Sequence, residues 1–271
     1  MTWSAVACVH FAVVCAAIGI VITASESLWH WSQGHYDVDG VWPWTIAREA
    51  YSERTAAVLT PLMTREATLV LFSLRLTCAI ALPLLYSQGY LATVPLSALL
   101  AIHCMTQLRS RWGGEGSDQM TTLVLVSGLA ADLFPALPLV ATSAALFLGA
   151  QITLSYIASG GAKLFGPLWR NGQALPRIMN HYTYGHARFA RILASRPSVA
   201  KTMCRSVILF QITFWVFYLL PMPFALIYPL GGVFFHANIA FFMRLNLFIP
   251  AFIGTYPCLL FTYHFVRPLV T

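Results

Sequence analysis

Near the middle of the chain, a lysine stands among residues of the types expected around a reactive amine. Lys163 follows a mostly apolar run, residues 150–162, and is one of two lysines in the sequence. On a helix, Tyr156, Ser159 and Gly160 precede it by seven, four and three residues, so all four share one face. Partial burial favours the neutral amine, and the pattern therefore predicts a base or nucleophile. The alternative is that Lys163 extends its ammonium from a helix end to the lipid headgroups.

A second polar group interrupts an aromatic-rich segment. The sequence F-F-H-A-N-I-A-F-F-M-R-L-N contains His236, Asn238, Arg244 and Asn246. Such side chains are costly in a bilayer unless they face a cavity or a partner. Arg244 lies eight residues after His236, which predicts that both lie near the same helix face. These residues predict either the wall of a polar pocket for an oxygen-bearing ligand or a hydrogen-bonded cluster between helices.

Other kinds of site have less support in the sequence. Histidines occur in or near apolar runs, but no two share a helix at metal-ligand spacing, so neither haem nor another metal site is predicted. The six cysteines include no C-x-x-C pair, and a disulfide framework is not predicted. Asp132 and Arg75 also lie in apolar runs, where they could pair with each other, with Arg109 or with Lys163.

A glycine-rich segment at 113–120, G-G-E-G-S-D-Q-M, has the composition of a phosphate-binding loop. Such loops need a preceding strand and a following Gly-Lys-Ser/Thr, which this segment lacks. It is predicted instead as a tight turn in which Ser117 or Asp118 is the N-cap of the next helix.

The amino-acid composition indicates the class of protein that positions these residues. Of 271 residues, 58% are hydrophobic and only 9% are charged, and the mean hydropathy is +0.71. Soluble domains carry about 25% charged residues, so soluble enzymes, nucleic-acid-binding modules and disordered linkers are excluded. The net charge of +7 is better suited to anionic headgroups than to nucleic acid. We therefore expect a multi-pass protein of the cell membrane whose main partner is the lipid bilayer.

The hydropathy pattern predicts an all-α fold, because helices satisfy their own backbone hydrogen bonds in lipid. The expected architecture is a polytopic transmembrane bundle of about 7–9 helices, forming a single integral membrane domain over residues 1–271. Residues 3–24 lack a basic n-region and a cleavage pattern, so they are predicted as a retained first helix. The predicted spans are roughly 3–25, 66–86, 89–108, 119–134, 138–163, 205–222, 223–243 and 247–266.

Two polar stretches separate these spans. Residues 28–65 contain four tryptophans, which favour the membrane interface, and an interfacial amphipathic helix is predicted near residues 48–54. Residues 169–205 contain seven of the sixteen basic residues and no acidic one. The positive-inside rule places both stretches in the cytoplasm, although a basic loop could instead bind an anionic substrate.

Three segments, read in order, have the features of a known family. Residues 151–175 contain a lysine at a glycine-rich helix end, followed by a tryptophan, a glycine and the predicted start of a new helix. Residues 234–257 contain a histidine, a phenylalanine-containing turn and a Tyr-Pro ending, and G-E-G-S-D-Q-M stands at 114–120. Together these segments resemble the membrane portion of vitamin K-dependent gamma-carboxylase and its bacterial relatives, the HTTM-domain proteins.

The resemblance implies a specific chemistry. In the carboxylase, oxygen converts reduced vitamin K into an epoxide, and the strong base formed on the way removes a proton from a peptide glutamate, which then captures carbon dioxide. The lysine matched by Lys163 deprotonates the hydroquinone, and a neutral amine suits that role. The implied cofactor is a reduced naphthoquinone, with Tyr156, Ser159, His236, Asn238 and Arg244 lining its site.

Two departures limit what the resemblance implies. The sequence given ends at Thr271, whereas family carboxylases continue into a large extramembrane region that holds the glutamate-containing peptide. A second histidine of the animal enzymes has no counterpart, since Phe134 and Pro135 stand at about its place. We therefore expect a separate soluble or secreted peptide-binding protein as partner, and a peptide or lipid as the substrate that is modified. The alternative is a non-catalytic membrane partner for the maturation or export of a secreted peptide.

Overall fold

The chain is all-helical in the computed structural model, which describes residues 3–109 and 115–270. The first two residues of the predicted 113–120 turn lie outside the described residues. The described part contains no strand, and its α-helices are α1 Ala5–Ser32, α2 Trp44–Ala47, α3 Glu53–Leu59, α4 Arg65–Ser87, α5 Thr93–Arg109, α6 Gly116–Leu133, α7 Pro138–Phe165, α8 Pro167–Arg170, α9 Ala174–Met179, α10 Ala187–Ser195, α11 Pro197–Ile212, α12 Ile227–Met243 and α13 Tyr256–Val270.

Five segments of the described chain are long and apolar enough to cross a bilayer. This finding confirms the prediction of an all-helical chain with helices of membrane-spanning length, and it is compatible with a membrane protein. Three of the segments are α1, α4 and α7. The other two, Phe224–Met243 and Ile249–Pro268, combine an α-helix with a short 3₁₀ segment and a short π-helical segment before it, respectively.

Contacts between Cα atoms divide the chain into two compact units. One unit contains residues 9–144, and the other contains residues 145–270 together with residues 3–8. We call them the N-terminal unit and the C-terminal unit. Each unit contains a core cluster of its own.

In the N-terminal unit, α4, α5 and α6 pack against one another in chain order. Thr64 caps α4, because its hydroxyl accepts a hydrogen bond from the Ala67 N–H at 3.2 Å. Helix α6 begins after Glu115, so the prediction of Ser117 or Asp118 as its N-cap is wrong. Asp118 instead occupies the third helical position, where its carboxylate accepts a hydrogen bond from the Glu115 N–H at 3.0 Å.

In the C-terminal unit, glycines bring long helices into close contact. A Cβ atom added at Gly160 of α7 would lie 2.8 Å from the Ile212 nitrogen and 2.9 Å from the Gln211 Cβ of α11. A Cβ added at Gly149 would lie 2.7 Å from the Cys258 carbonyl oxygen of α13. Small residues at such positions allow helix backbones to pack closely without a hydrophobic driving force.

Two predicted elements have different bounds in the structure. The span predicted at 205–222 is not one helix, because α11 ends at Ile212 and a 3₁₀ segment follows at Phe214–Tyr218. A run of β-branched and aromatic residues precedes Pro221 and Pro223, which cannot continue a helix without kinking it. The amphipathic helix predicted near 48–54 is a 3₁₀ turn followed by α3, which begins at Glu53.

Candidate functional site

The site begins with Lys163, two residues before the end of α7. Its side chain is half-buried, and its Nζ donates hydrogen bonds to the Ser159 carbonyl oxygen at 3.3 Å and to the Ser159 hydroxyl. The Trp169 ring of α8 lies 5.2 Å from Nζ. The ion pairs among the described residues do not include Lys163. Within the described residues, the amine is thus held by neutral groups.

Two turns earlier on the same helix, three buried side chains form a hydrogen-bonded cluster. The Tyr156 hydroxyl lies 2.8 Å from His236 Nε2 on α12 and 3.0 Å from the Tyr256 hydroxyl on α13. Tyr156 and His236 are each 2% exposed. We call Tyr156, His236 and Tyr256 the tyrosine–histidine cluster.

Aromatic rings surround this cluster. The Phe214 ring stacks on Tyr156 with centroids 4.0 Å apart, and the Phe252 ring stacks on His236 at 4.4 Å. Buried polar groups are costly unless they are hydrogen-bonded, and their hydrogen bonds strengthen in an apolar surrounding. The cluster is therefore a rigid polar centre inside an apolar shell.

One polar atom of the cluster has no partner. His236 Nδ1 is buried and makes no hydrogen bond within the described residues. Most buried polar atoms in native proteins have a partner, so an unpaired one calls for a functional or structural explanation. Because the ring can carry its proton on either nitrogen, His236 can offer a donor or an acceptor at this position.

Helix geometry relates the cluster to Lys163. Tyr156 precedes Lys163 by seven residues, which corresponds to about 10 Å along the axis of α7. Both side chains belong to the face that the sequence spacing predicts. The Tyr156 hydroxyl and the Lys163 amine thus lie on one face of α7, and Gly160 between them packs against α11.

The structure does not place two of the predicted site residues with the cluster. Asn238 donates its side-chain N–H to the Phe234 carbonyl oxygen of its own helix at 2.7 Å. Arg244 is exposed and has a left-handed backbone with φ 60°, because α12 ends at Met243. The periodicity that predicted Arg244 beside His236 therefore stops one residue before it.

Sequence reasoning missed Tyr256 and the rings around the cluster. Tyr256 belongs to the Tyr-Pro ending of the segment at 234–257, which was the only signal for it. It lies 100 residues from Tyr156 in the chain, and no spacing rule connects such positions. Phe214 and Phe252 stand in aromatic-rich runs that gave no reason to choose one ring over another.

The structure identifies the partners of Asp132, which the sequence alone could not assign. Asp132 accepts from His10 Nε2 at 2.9 Å, from the Tyr86 hydroxyl at 2.9 Å and from the Ala92 N–H at 3.0 Å. It therefore pairs with a histidine rather than an arginine. The described residues contain no group of three or more histidine, cysteine or acidic side chains that could hold a metal.

Comparisons with family models, with curated proteins and with solved structures gave no match to this chain.

Proposed function

We propose that the chain is a multi-pass membrane protein of the cell membrane with seven to nine crossings. Beyond the five segments of sufficient length and hydropathy, α5, α6 and α11 are 17, 18 and 16 residues long. Crossing helices need about 17–25 residues. Including α5 and α6 gives seven crossings, and including α11 gives eight.

We propose further that the chain is an HTTM-type relative of vitamin K-dependent gamma-carboxylase. On this proposal it oxidises a reduced naphthoquinone with Lys163 as base and couples the reaction to modification of a peptide or lipid. The observation that carries the proposal is the half-buried Lys163 amine, which neutral groups hold two turns from the tyrosine–histidine cluster.

The residues present fit a flat quinol. Lys163 is only half-buried, so its amine at the end of α7 remains accessible to the hydroxyl of such a ring. His236 Nδ1 has no hydrogen-bond partner among the described residues, and a ring oxygen would supply one if the Phe252 ring that stacks on His236 moved aside. A reduced naphthoquinone supplies the acidic hydroxyl and, together with dioxygen, the oxidising chemistry.

In the proposed reaction, Lys163 Nζ accepts the hydroxyl proton and becomes an ammonium. The Ser159 hydroxyl and carbonyl oxygen then stabilise the positive charge, and the Trp169 ring adds a cation–π contact. Tyr156 and His236 orient the ligand, since the rings that pack on them restrict their motion. The peptide substrate would come from a separate soluble or secreted binding protein.

Epoxide formation tests the proposal directly. The full chain would be reconstituted in lipid nanodiscs and supplied with a reduced naphthoquinone and oxygen, and the epoxide would be measured by mass spectrometry. We expect Lys163→Ala to lower the epoxide yield about 10²–10⁴-fold, the usual contribution of a general base. The matched control is Lys201→Ala, which removes the other lysine, whose side chain is exposed.

Each result distinguishes the alternatives. Epoxide from wild type and Lys201→Ala, but not from correctly folded Lys163→Ala, supports the assignment. Equal epoxide from all three proteins contradicts the role of Lys163. No epoxide from any of them contradicts the enzyme proposal and favours a non-catalytic partner for a secreted peptide.

A further inference from the structure

The N-terminal unit contains a polar cavity that the proposed lysine site does not use. Its volume is about 140 Å³, roughly four to five times the share of liquid volume of one water molecule. Its walls include Tyr36, Arg75, Arg109 and Asp118. We call it the arginine cavity.

Arg75 is buried in this wall and forms no ion pair among the described residues. Its side chain lies ten residues into α4, about 15 Å from the start of the helix, and the residue is only 5% exposed. Its Nη2 lies 3.4 Å from His103 Nδ1, and its Nε has no hydrogen-bond partner among the described residues. His103 is fully buried, and its other ring nitrogen lies 3.3 Å from the Asp118 carbonyl oxygen. A histidine that accepts from Arg75 is neutral and leaves the guanidinium charge uncompensated.

Arg109 repeats this pattern at the end of α5. It is 7% exposed and donates to the carbonyl oxygens of Met63 at 3.0 Å and Trp42 at 3.3 Å. Its Nε also has no partner among the described residues, and its guanidinium lies 5.0 Å from the Tyr36 ring. These contacts fix the side chain but supply no negative charge.

Asp118 is the one carboxylate in the cavity wall. One of its oxygens accepts the hydrogen bond from the Glu115 N–H that begins α6. The ion pairs of the described residues join His10 to Asp132 and Arg65 to Asp37, and neither includes Arg75 or Arg109. Two guanidiniums against one carboxylate leave the cavity with an excess positive charge, and a buried charge without a counterion is strongly unfavourable.

We propose that the arginine cavity binds a phosphate-type oxyanion, either a free phosphate group or the headgroup of an anionic phospholipid. Guanidinium groups present planar sets of N–H donors that match the oxygens of phosphate, and the side chains of both arginines line the cavity. Burial raises the pKa of the Tyr36 phenol, so its hydroxyl stays protonated and can donate as well. The bound anion supplies the charge that the protein leaves missing.

Binding is tested with the purified full chain in nanodiscs of zwitterionic phosphatidylcholine. Inorganic phosphate would be titrated against chloride at equal ionic strength, with calorimetric Kd and unfolding temperature as readouts. At ten times its Kd, phosphate should raise the unfolding temperature by about 3 °C through linkage. A parallel series with phosphatidate in the nanodisc distinguishes a headgroup from a free ion.

Two variants and one control assign the effect to the cavity. Arg75→Gln should weaken anion binding at least tenfold and, in the absence of anion, should unfold at the same or a higher temperature, since it removes an unpaired buried charge. Tyr36→Phe keeps both charges and should weaken binding about threefold, which provides a test even if Arg75→Gln does not fold. Arg48→Gln removes an exposed arginine and should leave binding unchanged.

A stabilisation by phosphate or by phosphatidate that Arg75→Gln or Tyr36→Phe weakens supports the site, and the series that shows it identifies the source. If neither anion stabilises wild type beyond the chloride control, the proposal is overturned. It is also overturned if the stabilisation is as large in the two cavity variants as in Arg48→Gln. These outcomes are independent of Lys163, which does not line the cavity.

Discussion

Two buried histidines, one in each unit, show how differently the same side chain is used. His236 bonds a tyrosine hydroxyl, stacks on the Phe252 ring and has one nitrogen without a partner among the described residues. His103 has a guanidinium at one nitrogen and a carbonyl oxygen at the other. The C-terminal unit thus buries a neutral hydroxyl–imidazole network, whereas the N-terminal unit buries charges. A neutral network can be complete within the protein, but a charged one needs a counterion of its own or a bound one.

The largest expected effect tests whether the N-terminal unit depends on buried charge. Asp132 is 2% exposed and accepts three hydrogen bonds. Asp132→Asn removes the charge that holds His10 and should lower the free energy of unfolding by about 3 kcal/mol. Thermal unfolding in detergent measures the loss. Asp39→Asn, at an exposed aspartate, should change it by less than about 0.5 kcal/mol, and equal shifts for the two variants would contradict the comparison.

A smaller effect tests the neutral network of the C-terminal unit. Tyr156→Phe leaves His236 Nε2 and the Tyr256 hydroxyl without their shared partner, which should lower the free energy of unfolding by about 2 kcal/mol. Tyr182→Phe is the control, because Tyr182 is fully exposed. If both variants unfold at the wild-type temperature, the tyrosine–histidine cluster does not stabilise the fold, and the contrast between the units is lost.

The smallest expected change in the free energy of unfolding tests the close packing of helices in the C-terminal unit. Gly160→Ala would place a methyl group against the α11 backbone and should cost about 1 kcal/mol net. The adjacent Gly161→Ala meets no atom within 4 Å and should gain about 0.5–1 kcal/mol, since alanine favours helix. Changes of opposite sign in the unfolding temperatures of the two variants support close packing at Gly160. Two shifts of the same sign would contradict it.

Local spacing was enough to predict one contact in the candidate site. Ser159 stands four residues before Lys163, and α7 does bring the hydroxyl and carbonyl oxygen of Ser159 to the lysine amine. Such a contact depends only on helix periodicity over one turn. The same rule gave the wrong position for Arg244, because nothing in the sequence indicated that α12 ends at Met243.

Long-range partners could not be predicted in the same way. The sequence allowed several partners for Asp132. The structure pairs it with His10, 122 residues away in the chain. Tyr256 joins Tyr156 across 100 residues. Whether two such residues meet depends on how the helices pack, and periodicity within each helix contains no information about that packing.

The sequence by itself determined the class of the protein. A chain with 9% charged residues and long apolar runs is typical of membrane proteins, whose backbone groups bond internally in helices or closed barrels, and the length of the apolar runs favours helices. Only the tertiary structure decided which polar side chains meet: it places Arg75 and Arg109 around one cavity with Asp118 but in no ion pair of the described residues, and it joins Tyr156 to both His236 and Tyr256. The physical reason is that hydropathy acts on each segment separately, whereas charge compensation and hydrogen bonding depend on distances between segments.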